Sequence, residues 1–163
     1  MRTLAVLAFF VVIVPLLLLA AGQFGLLKGH PPTEPGLRAG KLKPPSRTQN
    51  SVSSQAALWP EGEYAVEYAK IEPLAFTQDS ALAMNRLRDV LAGWPGARII
   101  ENNPEYIAVQ FETRWLRFVD DAEFLLDPAA HVIHVRSASR IGRKDFGTNR
   151  KRIEAIRRRA DLR

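Results

Sequence analysis

The chain begins with a long run of apolar residues. None of residues 3–27 is charged, and residues 4–21 are all apolar, with Pro15 among them. An α-helix of about 18 residues is about 27 Å long, which is close to the hydrocarbon thickness of a bilayer. The pattern therefore predicts a transmembrane anchor or an uncleaved signal over residues 1–22.

This apolar run also predicts where the protein works. The apolar region of a secretory signal is usually only about 7–15 residues long, so we expect a single-pass protein that stays in the inner (cytoplasmic) membrane. Ala20, Ala21 and Gly22 would suit signal cleavage, which leaves a secreted protein as the alternative. Arg2 before the run nearly balances Lys28 after it, so charge alone leaves the orientation open.

Composition divides the rest of the chain into two parts. Residues 23–63 are rich in proline, glycine and basic residues, a composition that buries little surface and predicts a semi-extended stalk. Regular apolar spacing starts at Tyr64, and the remaining stretch of about 100 residues is a usual size for one hydrophobic core. We therefore expect residues 64–163 to form one domain that folds without the stalk.

Apolar spacing predicts an α+β fold for this domain. Rough alternation over residues 64–71 indicates a strand. Helical spacing indicates two helices, one from Thr77 or Asp79 to Trp94 and one over residues 148–160. Further strands are expected at 97–102, 106–115, 116–126 and 131–141. Because short turns join antiparallel neighbours, we predict a small antiparallel sheet of four to five strands with both helices packed on one face and the other face free.

Charge is distributed unevenly along the chain. The formal net charge is +6 at pH 7, and from Arg136 onward eleven Lys and Arg residues face three acids. Such a basic end suggests an anionic lipid surface or an acidic envelope partner, bound through the C-terminal helix. Nucleic acid is disfavoured, because the predicted anchor makes the membrane the nearest anionic surface. The alternative is that the basic end pairs with the acidic middle of the domain.

Several common chemistries have no signature in the sequence. Cysteine is absent, which excludes disulfides, thiol catalysis and thiolate metal sites. The motifs G-x-S-x-G, G-x-x-x-x-G-K-[ST] and G-x-G-x-x-G after a strand are also missing. His131 and His134 are three positions apart on a predicted strand, so their side chains point to opposite faces. We therefore expect no metal, no cofactor and no catalytic residue.

Two polar segments remain as candidates for a site, residues 50–55 and residues 136–152. In the second, strand geometry places Arg136 and Arg140 on one face and Ser137 and Ser139 on the other. With two acids of the neighbouring strand, the candidate residues are Asn50, Ser53, Ser54, Asp120, Asp121, Arg136, Ser137, Ser139, Arg140, Asp145, Asn149 and Arg150.

These residues allow two interpretations. Serine hydroxyls, guanidinium groups and the free N–H groups at a helix start would suit a phosphate or a carboxylate. In the structural interpretation, Arg136 and Arg140 instead bind acids of the neighbouring strand, namely Asp120, Asp121 or Glu123, and Asp145 caps the last helix. Paired acids and bases on neighbouring strands are more often structural than catalytic.

Four segments in order along the chain carry a resemblance: residues 50–55, 120–124, 135–142 and 145–154. Together they resemble the bacterial family catalogued as domain of unknown function 1499. Relatives in that family often have cysteines at the positions of Pro45 and Ser51, and such a pair implies an envelope compartment with the domain outside the cytoplasm. The resemblance implies no activity, substrate or cofactor.

Taken together, the sequence favours a membrane-anchored protein with its domain on the periplasmic side, which binds a ligand or takes part in an assembly without catalysis. The alternatives are a hydrolase-like enzyme that uses Asp120 or Asp121 with Ser139 and Arg140, and a purely structural tether. A concave site that gathers Asp120, Arg136, Ser139, Arg140 and Asn149 would favour a ligand or catalysis, and a fully paired sheet would favour structure.

Overall fold

The computed structural model describes residues 9–32 and 36–162. The α-helices of this part are α1 (Val14–Gln23), α2 (Val66–Ala69), α3 (Ser80–Ala92) and α4 (Thr148–Ala160), with a π-helical turn at Phe9–Ile13 and a 3-10 turn at Ala56–Leu58. The strands are β1 (Ser51–Ser53), β2 (Leu74–Ala75), β3 (Ala97–Asn102), β4 (Tyr106–Glu112), β5 (Val119–Asp127) and β6 (Val132–Ser139).

These six strands form one antiparallel sheet in the order β1, β6, β5, β4, β3, and β2 also pairs with β6. Strands β1 and β2 lie along the same edge of β6, with Ser53 opposite Arg136 and Leu74 opposite Ile133. The sequence predicted four to five strands. The described residues contain six. The sequence did not predict β1 and β2, because they are only three and two residues long, too short for apolar alternation to mark them.

Helices α3 and α4 share one hydrophobic core with one face of the sheet. Asp79 starts α3, because its carboxylate accepts hydrogen bonds from the N–H groups of Ala81 and Leu82 at 2.9 and 3.2 Å. Fully buried side chains of this core include Leu87 and Leu91 of α3, Ile153 and Ile156 of α4, and Ile107, Phe124, Ile133 and Val135 of the sheet.

The other face of the sheet is partly covered by the chain that precedes β1. Leu42 is fully buried, and its N–H donates to Oε1 of Gln55 at 2.9 Å. Lys43 extends to Glu123 in β5, and the carbonyl of Pro44 accepts a hydrogen bond from Arg136 in β6. Part of the segment that the sequence assigned to a stalk therefore packs on the face that was expected to be free.

The strand predicted over residues 64–71 is wrong. This segment contains the one-turn helix α2, in which the N–H of Ala69 donates to the carbonyl of Ala65 at 3.0 Å. Val66 and Ala69 are three positions apart, and both are buried against Ala56. Side chains three positions apart lie on one side of a helix but on opposite faces of a strand. Burial of this small apolar cluster therefore favours a helical turn here and not a strand.

The predicted transmembrane anchor is also not supported. Among the residues that the structure describes, no helix is long and apolar enough to cross a membrane. Regular α-helix begins only at Val14, directly after the π-helical turn, and runs for ten residues with Pro15 near its start. The part of the anchor over residues 1–8 lies outside the described residues. This finding contradicts the predicted transmembrane helix, the signal anchor and the single-pass anchoring in the inner membrane.

Candidate functional site

The structure brings the two polar segments of the sequence together. Strand β1 pairs with the end of β6, and Asn50 just before β1 binds the chain that leaves β6. Its side-chain Nδ2 donates to the carbonyls of Gly142 and Ser139 at 2.6 and 3.3 Å, and its own carbonyl accepts the N–H of Ser139 at 3.0 Å. The polar cluster at residues 50–55 is therefore part of the domain.

Asn149, in the first turn of α4, is the centre of this contact. It is fully buried, and its Nδ2 lies within hydrogen-bond distance of Oγ of Ser139, Oδ2 of Asp145 and the carbonyl of Asn50, at 2.9, 2.9 and 3.2 Å. Its Oδ1 accepts the hydroxyl proton of Ser137 at 2.5 Å. The amide oxygen and the amide nitrogen of Asn149 both have hydrogen-bond partners inside the protein, and these bonds fix α4 on the sheet.

Asp120 joins this cluster through Arg152, a residue that was not among the candidates from the sequence. Nη2 of Arg152 in α4 lies 2.5 Å from Oδ2 of Asp120, and Nη1 lies 3.0 Å from Oδ1 of Asn149. The guanidinium also lies 4.7 Å from the ring centre of Phe111. The signal was present in the sequence, because Arg152 follows Asn149 by three positions and shares its helix face. We call the cluster the helix-side network: Asn50, Asp120, Ser137, Ser139, Asp145, Asn149 and Arg152.

Asp145 anchors the start of α4. Its carboxylate accepts hydrogen bonds from the N–H groups of Gly147 and Asn149 at 3.0 and 2.9 Å and from the hydroxyl of Tyr68 at 2.5 Å. Burial by itself would raise the pKa of Asp145, but the bonds from Tyr68, Asn149 and Gly147 outweigh burial and hold the pKa below its usual value. The carboxylate therefore serves as an ionised cap.

This cap should make stability sensitive to acid. Because the folded pKa of Asp145 lies below the usual 3.8, its contribution is complete above that value and is lost as the pH falls through the folded pKa. We expect Asp145→Asn to flatten the acid side of the profile of unfolding free energy against pH, measured by urea denaturation. Asp161→Asn, at an exposed position, is the matched control. An unchanged acid side in Asp145→Asn would contradict this assignment.

The two candidate arginines, Arg136 in β6 and Arg140 just after it, lie on the opposite face of the sheet from the helix-side network. Arg140 binds Asp121 with two hydrogen bonds, from Nε at 2.8 Å and from Nη2 at 2.7 Å. Nη1 of Arg136 lies 3.3 Å from Glu123, which is 2% exposed. The structure thus reproduces the alternation predicted along this strand, and these pairs are the ones that the structural interpretation expected.

Glu123 has two further partners that the sequence did not indicate. Nζ of Lys43 and the hydroxyl of Tyr106 both lie 2.7 Å from its Oε1. Burial, followed by the charge of Glu123 and the hydrogen bond to it, raises the pKa of Tyr106 well above its usual range. The phenol therefore stays protonated and donates to the carboxylate, so Glu123 is held by partners on three sides.

Ser53, Ser54 and Arg150 lie apart from both groups, around a polar cleft of about 450 Å³ beside β1. The Oγ of Ser53 accepts the N–H of Gln55 at 3.2 Å, and Nη2 of Arg150 donates to the carbonyl of Tyr68 at 2.7 Å. The first bond lies within the turn that follows β1, and the second joins α4 to α2.

Ser54 has a histidine and an acid nearby. Its Oγ lies 3.1 Å from Nδ1 of His134, whose Nε2 lies 3.7 Å from Oδ2 of Asp127. The hydroxyl oxygen already accepts the N–H of Val135 at 2.9 Å, and 3.7 Å is too long for a hydrogen bond. The three side chains do not form the closed relay that activates a serine nucleophile.

The candidate residues thus form separate groups. Asp120, Ser139 and Asn149 meet on the helix side, whereas Arg136 and Arg140 lie on the other face with acids of β5. These five residues therefore share no concave site. Within the described residues, no group of three or more His, Asp or Glu side chains is placed to hold a metal ion.

Comparison with known proteins identifies one family. No curated protein and no solved structure gives a significant match to the chain. The sequence profile of the family described as Protein of unknown function (DUF1499) matches residues 41–159, which include β1 and the buried chain before it. This match covers most of the chain and all four segments that carried the resemblance. The protein therefore belongs to the DUF1499 family.

Proposed function

We propose that the protein is a non-catalytic binding domain that docks an acidic protein partner on the surface around α4. The main support for the proposal is a difference in bonding. The acids and hydroxyls of the candidate site are bound by partners inside the protein, whereas the side chains of a nearby group of cations have no such partners among the described residues. This group, the α4 cationic surface, consists of Arg143, Lys144, Lys151 and Arg158. All four are exposed, and none has an ion-pair or hydrogen-bond partner for its side chain among the described residues.

The side chains of the other basic residues of α4 contact other parts of the protein. Arg150 and Arg152 bind Tyr68 and Asp120, as described above. Arg157 binds Glu154 and the carbonyls of Glu72 and Pro73, and Arg159 stacks on Trp94 at 4.4 Å from the ring centre. The basic composition of α4 therefore has two roles, one inside the fold and one at the surface.

Lys151 and Arg158 are well placed to contact one partner together. They are seven residues apart, which puts them on the same side of the helix and roughly 10 Å apart along its axis. Arg143 and Lys144 belong to the loop that leads into α4. Four like charges on a helix and its adjoining loop attract an acidic surface over a distance of about the Debye length, so we expect binding that weakens as salt is added.

The internal pairing also favours binding over a hydrolase-like reaction. A general base must reach the proton that it removes from the substrate. Asp121 is held by Nε and Nη2 of Arg140, Asp120 by Arg152, and the Oγ of Ser139 by the buried Asn149. Using any of them in catalysis would first require these bonds to break.

Charge reversal tests the proposal. Lys151→Glu/Arg158→Glu should weaken binding to a fluorescent polyglutamate peptide at low ionic strength by at least about tenfold, because two attractive contacts become repulsive. The control Lys41→Glu/Arg114→Glu changes the net charge equally at exposed positions elsewhere and should bind nearly as the wild type does.

Thermal unfolding shows whether both variants stay folded, and their midpoints should match that of the wild type. Equal weakening by both variants would mean that only net charge matters and would reject the α4 cationic surface. Strong binding to anionic lipid vesicles without binding to the peptide would assign the surface to a lipid partner and contradict an acidic protein partner.

A further inference from the structure

A second cationic region lies on the face of the sheet opposite the helices. Here a cleft of about 430 Å³ is bounded by β3, β4, the turn before β5, the chain just after β6, and residues 24–32, which follow α1 and are called the arm. Its polar lining residues come from all five: Lys28, Arg98, Gln110, Glu112, Arg117 and Arg140. Four of these six side chains are cations and one is an acid.

The positive charge in this cleft is not balanced by the acid that lines it. Glu112 is shared by two cations, with Nε of Arg117 at 2.5 Å and Nζ of Lys28 at 3.0 Å. Arg98 donates a hydrogen bond to the neutral amide of Gln110 at 2.8 Å and forms no ion pair with the described residues. Arg140 is already bound by Asp121, outside the cleft. Within the cleft, Arg98 and one of the two cations on Glu112 therefore lack a matching acid.

Glu112 itself reflects the positive surroundings. The hydrogen bond from Arg117 has the largest effect and lowers the pKa of Glu112. The hydrogen bond and the charge of Lys28 lower it further. Together these contacts outweigh burial, which alone would raise the pKa, so the pKa of Glu112 lies below its usual value. A carboxylate is thus already stabilised in this cleft.

Lys28 reaches the cleft because the end of α1 and the arm pack closely against the sheet. A Cβ atom on Gly29 would lie 2.8 Å from Cβ of Arg140, closer than side chains approach, and a Cβ on Gly22 would lie 2.6 Å from the carbonyl oxygen of Leu116. Gln23 adds hydrogen bonds to the turn between β4 and β5: its Nε2 donates to the carbonyl of Trp115, and its carbonyl accepts from Arg117. The cleft therefore lies where the N-terminal part of the chain packs against the sheet.

We infer that this cleft binds a small multivalent oxyanion, with Arg98 as the main contact and Lys28 and Arg117 as its neighbours. A guanidinium group presents two parallel N–H donors that match the oxygens of a carboxylate or a phosphate. Arg98 is exposed and Lys28 is 38% exposed, so an anion can reach both side chains, and the summed positive charge of the cleft attracts it. This site lies on the other face of the sheet from the core helices and is independent of the proposed function of α4.

Calorimetric titration of the full chain tests the site, with pyrophosphate and citrate as separate probes and sodium chloride at matched ionic strength as the blank. We expect saturable binding of at least one probe. Arg98→Gln should weaken it by about tenfold or more, the effect of losing a charged hydrogen bond. Arg88→Gln, on α3 and hydrogen-bonded to Asn102, is the matched control and should bind as the wild type does.

The two probes separate the sources of the oxyanion. Binding of pyrophosphate alone identifies a phosphate compound, and binding of citrate alone identifies a polycarboxylate. Lys151→Glu/Arg158→Glu should bind the probe normally, so a failure at the α4 cationic surface is distinguishable from a failure here. Absence of saturable binding, or equal binding by wild type and Arg98→Gln, would overturn the inference.

Discussion

Arg152→Met should destabilise the protein by about 3–5 kcal/mol, because it leaves the carboxylate of Asp120 buried without its cation. The two side chains are only 10% and 8% exposed, so water cannot replace the lost partner. Methionine has nearly the helix propensity of arginine, so the substitution tests the ion pair and not the helix. Urea denaturation monitored by circular dichroism measures the change in the free energy of unfolding.

A matched variant on the same helix controls for this prediction. Arg158→Met removes an exposed arginine and should change the unfolding free energy by less than about 0.5 kcal/mol. The double variant Asp120→Ala/Arg152→Met removes both charges and should be more stable than Arg152→Met alone, because no uncompensated charge remains. A cost for Arg152→Met no larger than that of Arg158→Met would show that the buried pair contributes little.

The fragment of residues 64–163 should fail to unfold cooperatively on heating, whereas residues 36–163 should do so. The sequence alone predicted that the shorter fragment would fold, since the regular apolar spacing begins at Tyr64. The structure changes that expectation, because Leu42 and Val52 are both fully buried, and burying one such side chain stabilises by about 1.5–3 kcal/mol.

The shorter fragment also loses polar partners. Without Asn50, the Nδ2 of Asn149 loses an acceptor and the carbonyl of Gly142 loses a donor. Without Lys43, the buried Glu123 loses a cation. These losses add to those of Leu42 and Val52 and approach the whole net stability of a small domain, about 5–15 kcal/mol. Circular dichroism during heating compares the two fragments, and a sharp transition for residues 64–163 would restore the original expectation.

Periodicity in the sequence located the regular elements within the folded region. Residues 148–160 were predicted to be helical from apolar spacing, and α4 has these bounds. Strands β3 to β6 lie within a few residues of the predicted runs, because each is long enough for alternation to mark it. Local spacing was misleading where a run was short or rough, as over residues 64–71, which contain the one-turn helix α2.

The polar site shows the same division. Alternation along β6 correctly separated Arg136 and Arg140 from Ser137 and Ser139, because the side-chain period of a strand is two wherever the strand lies. The partners were less predictable. Arg152 joins Asp120 across 32 positions, and Asn50 joins Asn149 across 99, and neither distance follows from spacing within one segment.

By itself the sequence determined the family, the positions of the two long helices and the alternation of the hairpin strands, since these depend on local order along the chain. Only the tertiary structure decided that the chain before β1 belongs to the fold, which charges are internally paired, and which cations have no internal partner within the described residues. The reason is physical: burial and ion pairing depend on which distant segments meet in space, and the energy of a charge depends on what surrounds it.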